Sequence, residues 1–113
     1  MESSKPVLTV VYSATALKEP DKIWAHNAKT YASSDHANNY VDFLKTKIKA
    51  LSNHYEDGRV VETNDKLRYI VMKPSSRGNG HVAVYRISST AVRIVHVFHT
   101  SQNWESKIKP RAR

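Results

Sequence analysis

The chain contains no cysteine among its 113 residues. Without thiols it can form neither a disulfide framework nor a thiolate metal site, and we expect it in a reducing compartment, the cytoplasm. Long apolar runs are missing too, because the stretch Val7–Val11 behind the polar start is far too short for a signal sequence or a membrane span. We therefore expect neither secretion nor membrane insertion.

Glycine and proline are scarce, with three and four residues, and the chain has no internal repeat or low-complexity linker. This composition predicts one compact domain over residues 1–113, with a frayed basic tail at 109–113. Arg77–Gly80 lacks the lysine and the spacing of a phosphate-binding P-loop, and the histidines lack metal-ligand spacing. We predict no metal, no cofactor and no nucleotide hydrolysis.

Positive charge is what the chain has in excess. Lysine and arginine number 18 against 10 acidic residues, which gives a net charge of +8. A charge of this sign and size predicts an acidic partner, which can be a nucleic acid, a nucleoprotein or an acidic protein. Charge alone does not distinguish these three classes.

The first half of the chain has helical periodicity after one strand. Lys5–Tyr12 is apolar on both faces and predicts a covered strand, while proline in a first turn predicts a helix from Glu19 or Pro20 to about Ala32. Ala37–Leu51 places apolar residues at i, i+3, i+4 and i+7 after a serine cap, which predicts a second helix. The short link Ala32–Ser34 predicts that the two helices form an antiparallel hairpin.

The second half is extended, and Leu67–Lys73, Gly80–Ser88 and Ala91–His99 predict three antiparallel strands in a meander. The element order predicts an α+β fold with the helix hairpin packed on one face of the sheet and the other face left open. On the last strand, strict alternation would put His96 on one face with Ile94 and Phe98, and His99 on the opposite face.

Several segments, by their order and spacing along the chain, resemble the RelE/ParE superfamily of toxins, with ParE as the nearest branch. In Gly80–Ile87 a strand closes with Tyr85-Arg86. The following strand, Val92–His99, closes with an aliphatic residue and then His99, and Asn103 comes shortly after it. Asp21–Trp24 and Ala37–Leu51 resemble the two family helices, Gly58-Arg59 the turn after them, and Leu67-Arg68 the start of the next strand.

The resemblance implies the toxin of a type II toxin-antitoxin system, held inactive in a hetero-oligomer with an acidic, ParD-like antitoxin. ParE toxins inhibit DNA gyrase and are not enzymes in the usual sense, whereas RelE toxins are ribosome-dependent mRNA endonucleases of the same fold. A nucleic-acid-binding module without toxicity is a third hypothesis. We therefore predict a gyrase-directed toxin and keep both alternatives open.

Five residues are predicted to contact the target: Arg68, Arg86, His99, Asn103 and Trp104. If the chain is a nuclease, Arg68, Arg86 and His99 are its candidate catalytic residues, because metal-free RNA cleavage needs cations and proton-exchanging groups. Two of the five have an alternative structural role: Arg86 can form a cross-strand ion pair, and Trp104 can close the core.

A second predicted site is on the helix hairpin. Trp24, Tyr31 and Tyr40 give it more aromatic surface than packing on a thin sheet requires. Such a surface suits a groove for a partner helix, and an acidic antitoxin segment would also match the net charge. Simple packing against the sheet is the alternative role of these side chains.

Overall fold

A computed structural model describes residues 5–108 of the chain, and the predicted basic tail at 109–113 lies outside them. In these residues one five-stranded mixed sheet carries helices on one face. The elements, in chain order, are β1 (Thr9–Tyr12), α1 (Ala14–Leu17), α2 (Glu19–Tyr31), α3 (Ser34–Lys49), α4 (Leu51–His54), β2 (Arg59–Val61), β3 (Asn64–Met72), β4 (His81–Ile87), β5 (Ala91–His99) and a 3₁₀ turn at Trp104–Lys107. Among the described helices, none has the length and apolarity needed to cross a bilayer.

The helix hairpin forms as predicted, from α2 and α3. Pro20 lies in the first turn of α2, where its missing amide costs no helical hydrogen bond. Ala32 ends α2 with a left-handed φ of 51°, and the Ser33 hydroxyl caps α3 by accepting the His36 amide at 3.1 Å. The indole Nε1 of Trp24 donates to Asn38 Oδ1 at 2.7 Å across the hairpin. These contacts hold the two helices side by side.

The sheet has the strand order β1-β5-β4-β3-β2. The predicted meander is its centre, since β4 pairs antiparallel with both β3 and β5. Two edge strands complete the sheet: β1, which was predicted as a strand without a partner, and β2, which was not predicted. β1 pairs parallel with β5, Thr9 opposite Ala91, and the three-residue β2 pairs with β3. β2 is too short to show a period in the sequence.

A β-bulge on β5 changes which face its later residues occupy. Val84 pairs with His96 and Tyr85 with Ile94, so Val95 is an extra residue without a cross-strand partner. His96 and Phe98 share one face and His99 lies on the other, as predicted, but the prediction that His96 and Phe98 share the face of Ile94 is wrong. Val97 packs in the core under the helices, while Val95 and Phe98 pack on the opposite face.

Each face of the sheet has its own apolar core. The larger core lies under the helices and joins the hairpin's Val41, Leu44 and Ile48 to Tyr85 and Ile94 of the sheet. The opposite face, here called the second face, was expected to be open. Instead its middle is covered by the C-terminal segment, whose Trp104 and Ile108 pack on it. Closure of the core was one of the two roles left open for Trp104, whereas Ile108 was not expected to take part in it.

Candidate functional site

A cleft of about 700 Å³ lies between the α2–α3 hairpin and the end of the sheet where β4 begins and β5 ends. It is here called the hairpin cleft. Helical periodicity directs one row of side chains from the hairpin into it, and the paired ends of β4 and β5 supply the opposite wall. The side chains that matter below are Lys22, His26, Tyr31, Tyr40, His81 and His99.

His81 and Tyr40 form the innermost contact of the cleft. The Tyr40 hydroxyl lies 2.5 Å from Nδ1 of His81, whose side chain is among the few buried polar groups of the described residues. Burial, with smaller effects of His99 and His26, lowers the pKa of His81 to about 4. Burial, with a smaller effect of Tyr31, raises the pKa of Tyr40 to about 12. Both groups are therefore neutral near pH 7.

His99 stands edge-on to His81, with ring centroids 5.1 Å apart. Its Nδ1 accepts the Ser101 amide at 3.1 Å and lies 2.6 Å from the Ser101 hydroxyl. Since Nδ1 is an acceptor in this arrangement, the neutral ring carries its hydrogen on Nε2. The turn after β5 thus fixes both the orientation and the tautomer of His99.

The structure brings together residues that the sequence assigned to two separate sites. His99 was predicted for target contact, and Tyr31 and Tyr40 for antitoxin contact, yet all three line the hairpin cleft. His81 was missed. Counting from the tight turn after β4 would pair His81 with Phe98, and only the bulge at Val95 moves His81 opposite His99.

Arg68 lies away from this cleft, on the helix side of β3, where it pairs with Tyr85. Its Nη1 donates to the carbonyls of Glu56 at 3.1 Å and Gly58 at 2.9 Å. The buried Tyr85 hydroxyl accepts the Gly58 amide at 3.1 Å and donates to the Tyr55 carbonyl at 2.7 Å. A Cβ at Gly58 would collide with that hydroxyl. Arg68 therefore helps to hold the turn before β2, while its role in target contact stays a prediction.

Arg86 is exposed on the second face, directly opposite Arg93 of β5. The cross-strand ion pair considered for Arg86 is therefore wrong, because its partner in the register carries the same charge. Like charges in this position repel each other unless an anion lies between them or above them. The two guanidinium groups are here called the arginine pair.

Asn103 and Trp104 belong to the C-terminal segment that covers the middle of the second face. Trp104 packs against Tyr69, with ring centroids 4.8 Å apart, and stacks on Phe98 at 6.3 Å. Of its two open roles, the structure favours closure of the second core. Asn103 is exposed, and its carbonyl accepts the Ser106 hydroxyl at 2.7 Å.

The five predicted target residues are thus distributed over both faces of the sheet and both ends of β4. On the hairpin, Trp24 and Tyr31 are exposed, and Tyr40 is turned inward to His81. Within residues 5–108, no group of three histidine or acidic side chains is arranged to hold a metal ion.

A family model described as the ParE toxin of the type II toxin-antitoxin system parDE matches residues 10–104, which is most of the chain. The chain belongs to the ParE toxin family. The ParE match spans the hairpin, the sheet from Val10 onward and Trp104, so both the hairpin cleft and the arginine pair lie inside the family domain.

Solved structures give the same fold for this ParE-family chain. One, described as the chromosomal ParDE TA system from P. aeruginosa, superposes with a TM-score of 0.68 over 83% of this chain and 97% of the other. The two sequences are 14% identical, so this likeness concerns the fold. A comparison with curated proteins finds no match.

Proposed function

We propose that this ParE-family toxin acts in the cytoplasm as an inhibitor of DNA gyrase, without being an enzyme, and is neutralised by an acidic ParD-like antitoxin. Family membership supports the toxin assignment, and the resemblance to ParE supports the target. A similar structure described as a ParDE system supports a complex with an antitoxin. The arginine pair is the observation that most supports contact with this target.

The arginine pair is a surface that needs an anionic partner. Arg86 and Arg93 are both exposed and stand directly opposite each other, beyond the part of the second face that Trp104 covers. Their repulsion costs stability in the free protein. DNA phosphates, or acidic side chains of a DNA-bound enzyme, would remove that repulsion on binding. A target made of protein and cleaved DNA offers both.

The nuclease alternative receives less support from the geometry. Arg68 and His99 pair with positions four residues apart on β4, which is about 13 Å at about 3.3 Å per residue. Arg86 faces the opposite side of the sheet. Metal-free cleavage of RNA needs a base, an acid and a cation around one phosphate, and these three side chains do not surround one.

The hairpin is the proposed antitoxin surface. Trp24 and Tyr31 are exposed on it, and Lys22 and Lys29 are exposed on the same helix. An amphipathic acidic segment would bury these aromatic rings and neutralise these cations. A segment that reaches Tyr40 would also enter the hairpin cleft and cover His99.

Inducible expression in bacteria tests the target. We expect growth arrest with filamentation and gyrase-linked DNA breaks, and we expect Arg86→Ala with Arg93→Ala to reduce both. Arg59→Ala is the matched control, since it removes an exposed arginine from the edge strand β2, which does not pair with β4 or β5. Coexpression of the antitoxin should restore growth.

The outcomes separate the three hypotheses. Arrest with codon-positioned mRNA cleavage and intact DNA would replace gyrase inhibition by the nuclease function. Unimpeded growth at a verified protein level would favour a binding module without toxicity. An equal loss of activity in Arg59→Ala would reduce the arginine pair to a general effect of charge.

A further inference from the structure

The hairpin cleft has an unbalanced charge composition. Its lining residues include no aspartate or glutamate, while they include Lys22 and four of the six histidines of the chain. Lys22 lies 3.7 Å from Glu19, a distance beyond a hydrogen bond, and both groups can separate because Lys22 is well exposed. The cleft therefore favours an anion over a cation.

Two imidazole N–H groups are available inside the cleft. Because a phenol donates a hydrogen bond more readily than it accepts one, we assign the Tyr40 hydroxyl as the donor to Nδ1 of His81, which leaves the hydrogen of that ring on Nε2. His99 carries its hydrogen on Nε2 for the equivalent reason. Within residues 5–108 neither Nε2 has a hydrogen-bond partner, and no buried side-chain nitrogen or oxygen there lacks one. Both Nε2 atoms are therefore accessible, and the space beside these rings is the cleft.

An aromatic wall lies next to these donors. Tyr31 is 58% exposed, and its ring centroid is 4.1 Å from that of His36. Both rings line the cleft. An exposed tyrosine face is a platform on which a nucleobase stacks without regard to its identity. Donors for a phosphate and a platform for a base thus share one cleft.

We propose that the hairpin cleft binds a nucleotide, either free or at the end of a nucleic acid strand. Nε2–H of His81 and of His99, together with Lys22, holds the phosphate, and Tyr31 stacks on the base. The volume of about 700 Å³ is that of a typical small-ligand site. The neutral state of His81 near pH 7 makes it a hydrogen-bond donor rather than a fixed charge. The proposal does not rest on gyrase inhibition, although the cleft shares His99 with the predicted target contacts and Lys22, Tyr31 and Tyr40 with the proposed antitoxin surface. It is tested on the purified full chain.

Titration followed by NMR of the histidine ring nitrogens is the direct experiment. Adenosine monophosphate should shift Nε2 of His81 and His99 with saturation at millimolar or lower concentration. Inorganic phosphate should bind more weakly at the same atoms, and adenosine without phosphate more weakly still. A 5′-phosphorylated dinucleotide that binds more tightly than the monophosphate indicates a strand end, and equal binding indicates a free nucleotide.

Variants assign the contacts. His99→Gln and Lys22→Gln should each weaken monophosphate binding by about tenfold, the usual effect of losing one hydrogen bond to a charged group. Tyr31→Ala should weaken binding of the nucleotide but leave the affinity for inorganic phosphate unchanged. His54→Gln and Lys49→Gln are matched controls, because both side chains are exposed and lie outside the cleft lining.

The proposal does not depend on a His81 variant, because replacing this buried ring would also disturb the fold. It is overturned if no probe gives saturable shifts at His81 and His99. It is equally overturned if His99→Gln and Lys22→Gln bind the monophosphate no more weakly than the two control variants do.

Discussion

The helix-side face and the second face of the sheet differ in what covers them. On the helix side, four helices and fully buried residues such as Tyr85, Ile94 and Val92 form one continuous core. On the second face, the cover is a short C-terminal segment, and the arginine pair lies beyond it. One face therefore supplies most of the folding free energy, while the other keeps charged surface for a partner.

The same contrast distinguishes the two polar sites. The hairpin cleft is built into the edge of the larger core, so its histidines are fixed by Tyr40 and Ser101. The arginine pair is fixed by strand register alone. Preorganised donors suit a small ligand, whereas flexible arginines suit a large and variable surface.

Truncation in the helix-side core should have the largest effect on stability. Ile94 is completely buried between β4 and the helices, and Ile94→Ala should lower the free energy of unfolding by about 2–5 kcal/mol. Urea denaturation measures this. Val60→Ala, at an exposed position of β2, should cost less than about 1 kcal/mol. Equal losses for the two variants would contradict the assignment of the dominant core.

Acid should weaken the helix-side face through His81. Its folded pKa of about 4 lies below the ordinary value of 6.5, so the unfolded state takes up the proton first. The neutral ring's contribution is complete above pH 6.5 and is lost as the pH falls from there to about 4, by at most about 3 kcal/mol. Unfolding followed from pH 7 to 4 measures it. His81→Gln should flatten this dependence and His54→Gln should not; parallel curves for all three proteins would exclude His81 as its source.

Removing the C-terminal cover of the second face should lower the free energy of unfolding by less than truncation in the helix-side core does. Trp104 is half-buried and contacts Tyr69 and Phe98, so Trp104→Ala should lower the free energy of unfolding by about 2 kcal/mol. Trp104→Phe keeps an aromatic ring there and should recover about half of the loss. Thermal unfolding compares the two. A loss as large as that of Ile94→Ala would mean that the second core is as important as the first.

Removing charge from the arginine pair should change stability least, and in the opposite direction. Arg93→Thr should stabilise the free protein by about 0.5 kcal/mol, because it removes cross-strand repulsion from Arg86. A double-mutant cycle with Arg86→Thr isolates the coupling, which should shrink as salt screens the charges. A favourable coupling between the two arginines would contradict the repulsion inferred from the register.

Sequence periodicity predicted those elements of the fold that depend only on a local pattern of residues. The hairpin needs only the apolar spacing from Ala37 to Leu51, a serine cap and a short link, and all three are visible in the chain. Tyr85 alternates with Ala83 and Ile87, which is the spacing of a core position on a strand, and it is fully buried. The parallel partner of β1 was not predictable, because no local signal connects Thr9 to Ala91.

The candidate site was harder to predict because one inserted residue changes it. Strict alternation gave His99 the wrong neighbours, Arg93 and Val95, and the bulge at Val95 turns it toward the helices and His81. Bulges of this kind leave no composition signal in a run of valine and isoleucine. Arg68 was recognised as a strand cation, but its bonds to Glu56 and Gly58 depend on a turn whose geometry the sequence does not specify.

The parallel pairing of β1 with β5 has a consequence for the time at which the chain can complete its fold. β5 lies between β1 and β4, so the sheet is complete only after the first and the last strands have met. During synthesis, everything through β4 can leave the ribosome without its principal core being closed. Fragments that end before β5 therefore lack the strand that joins β1 to the rest of the sheet.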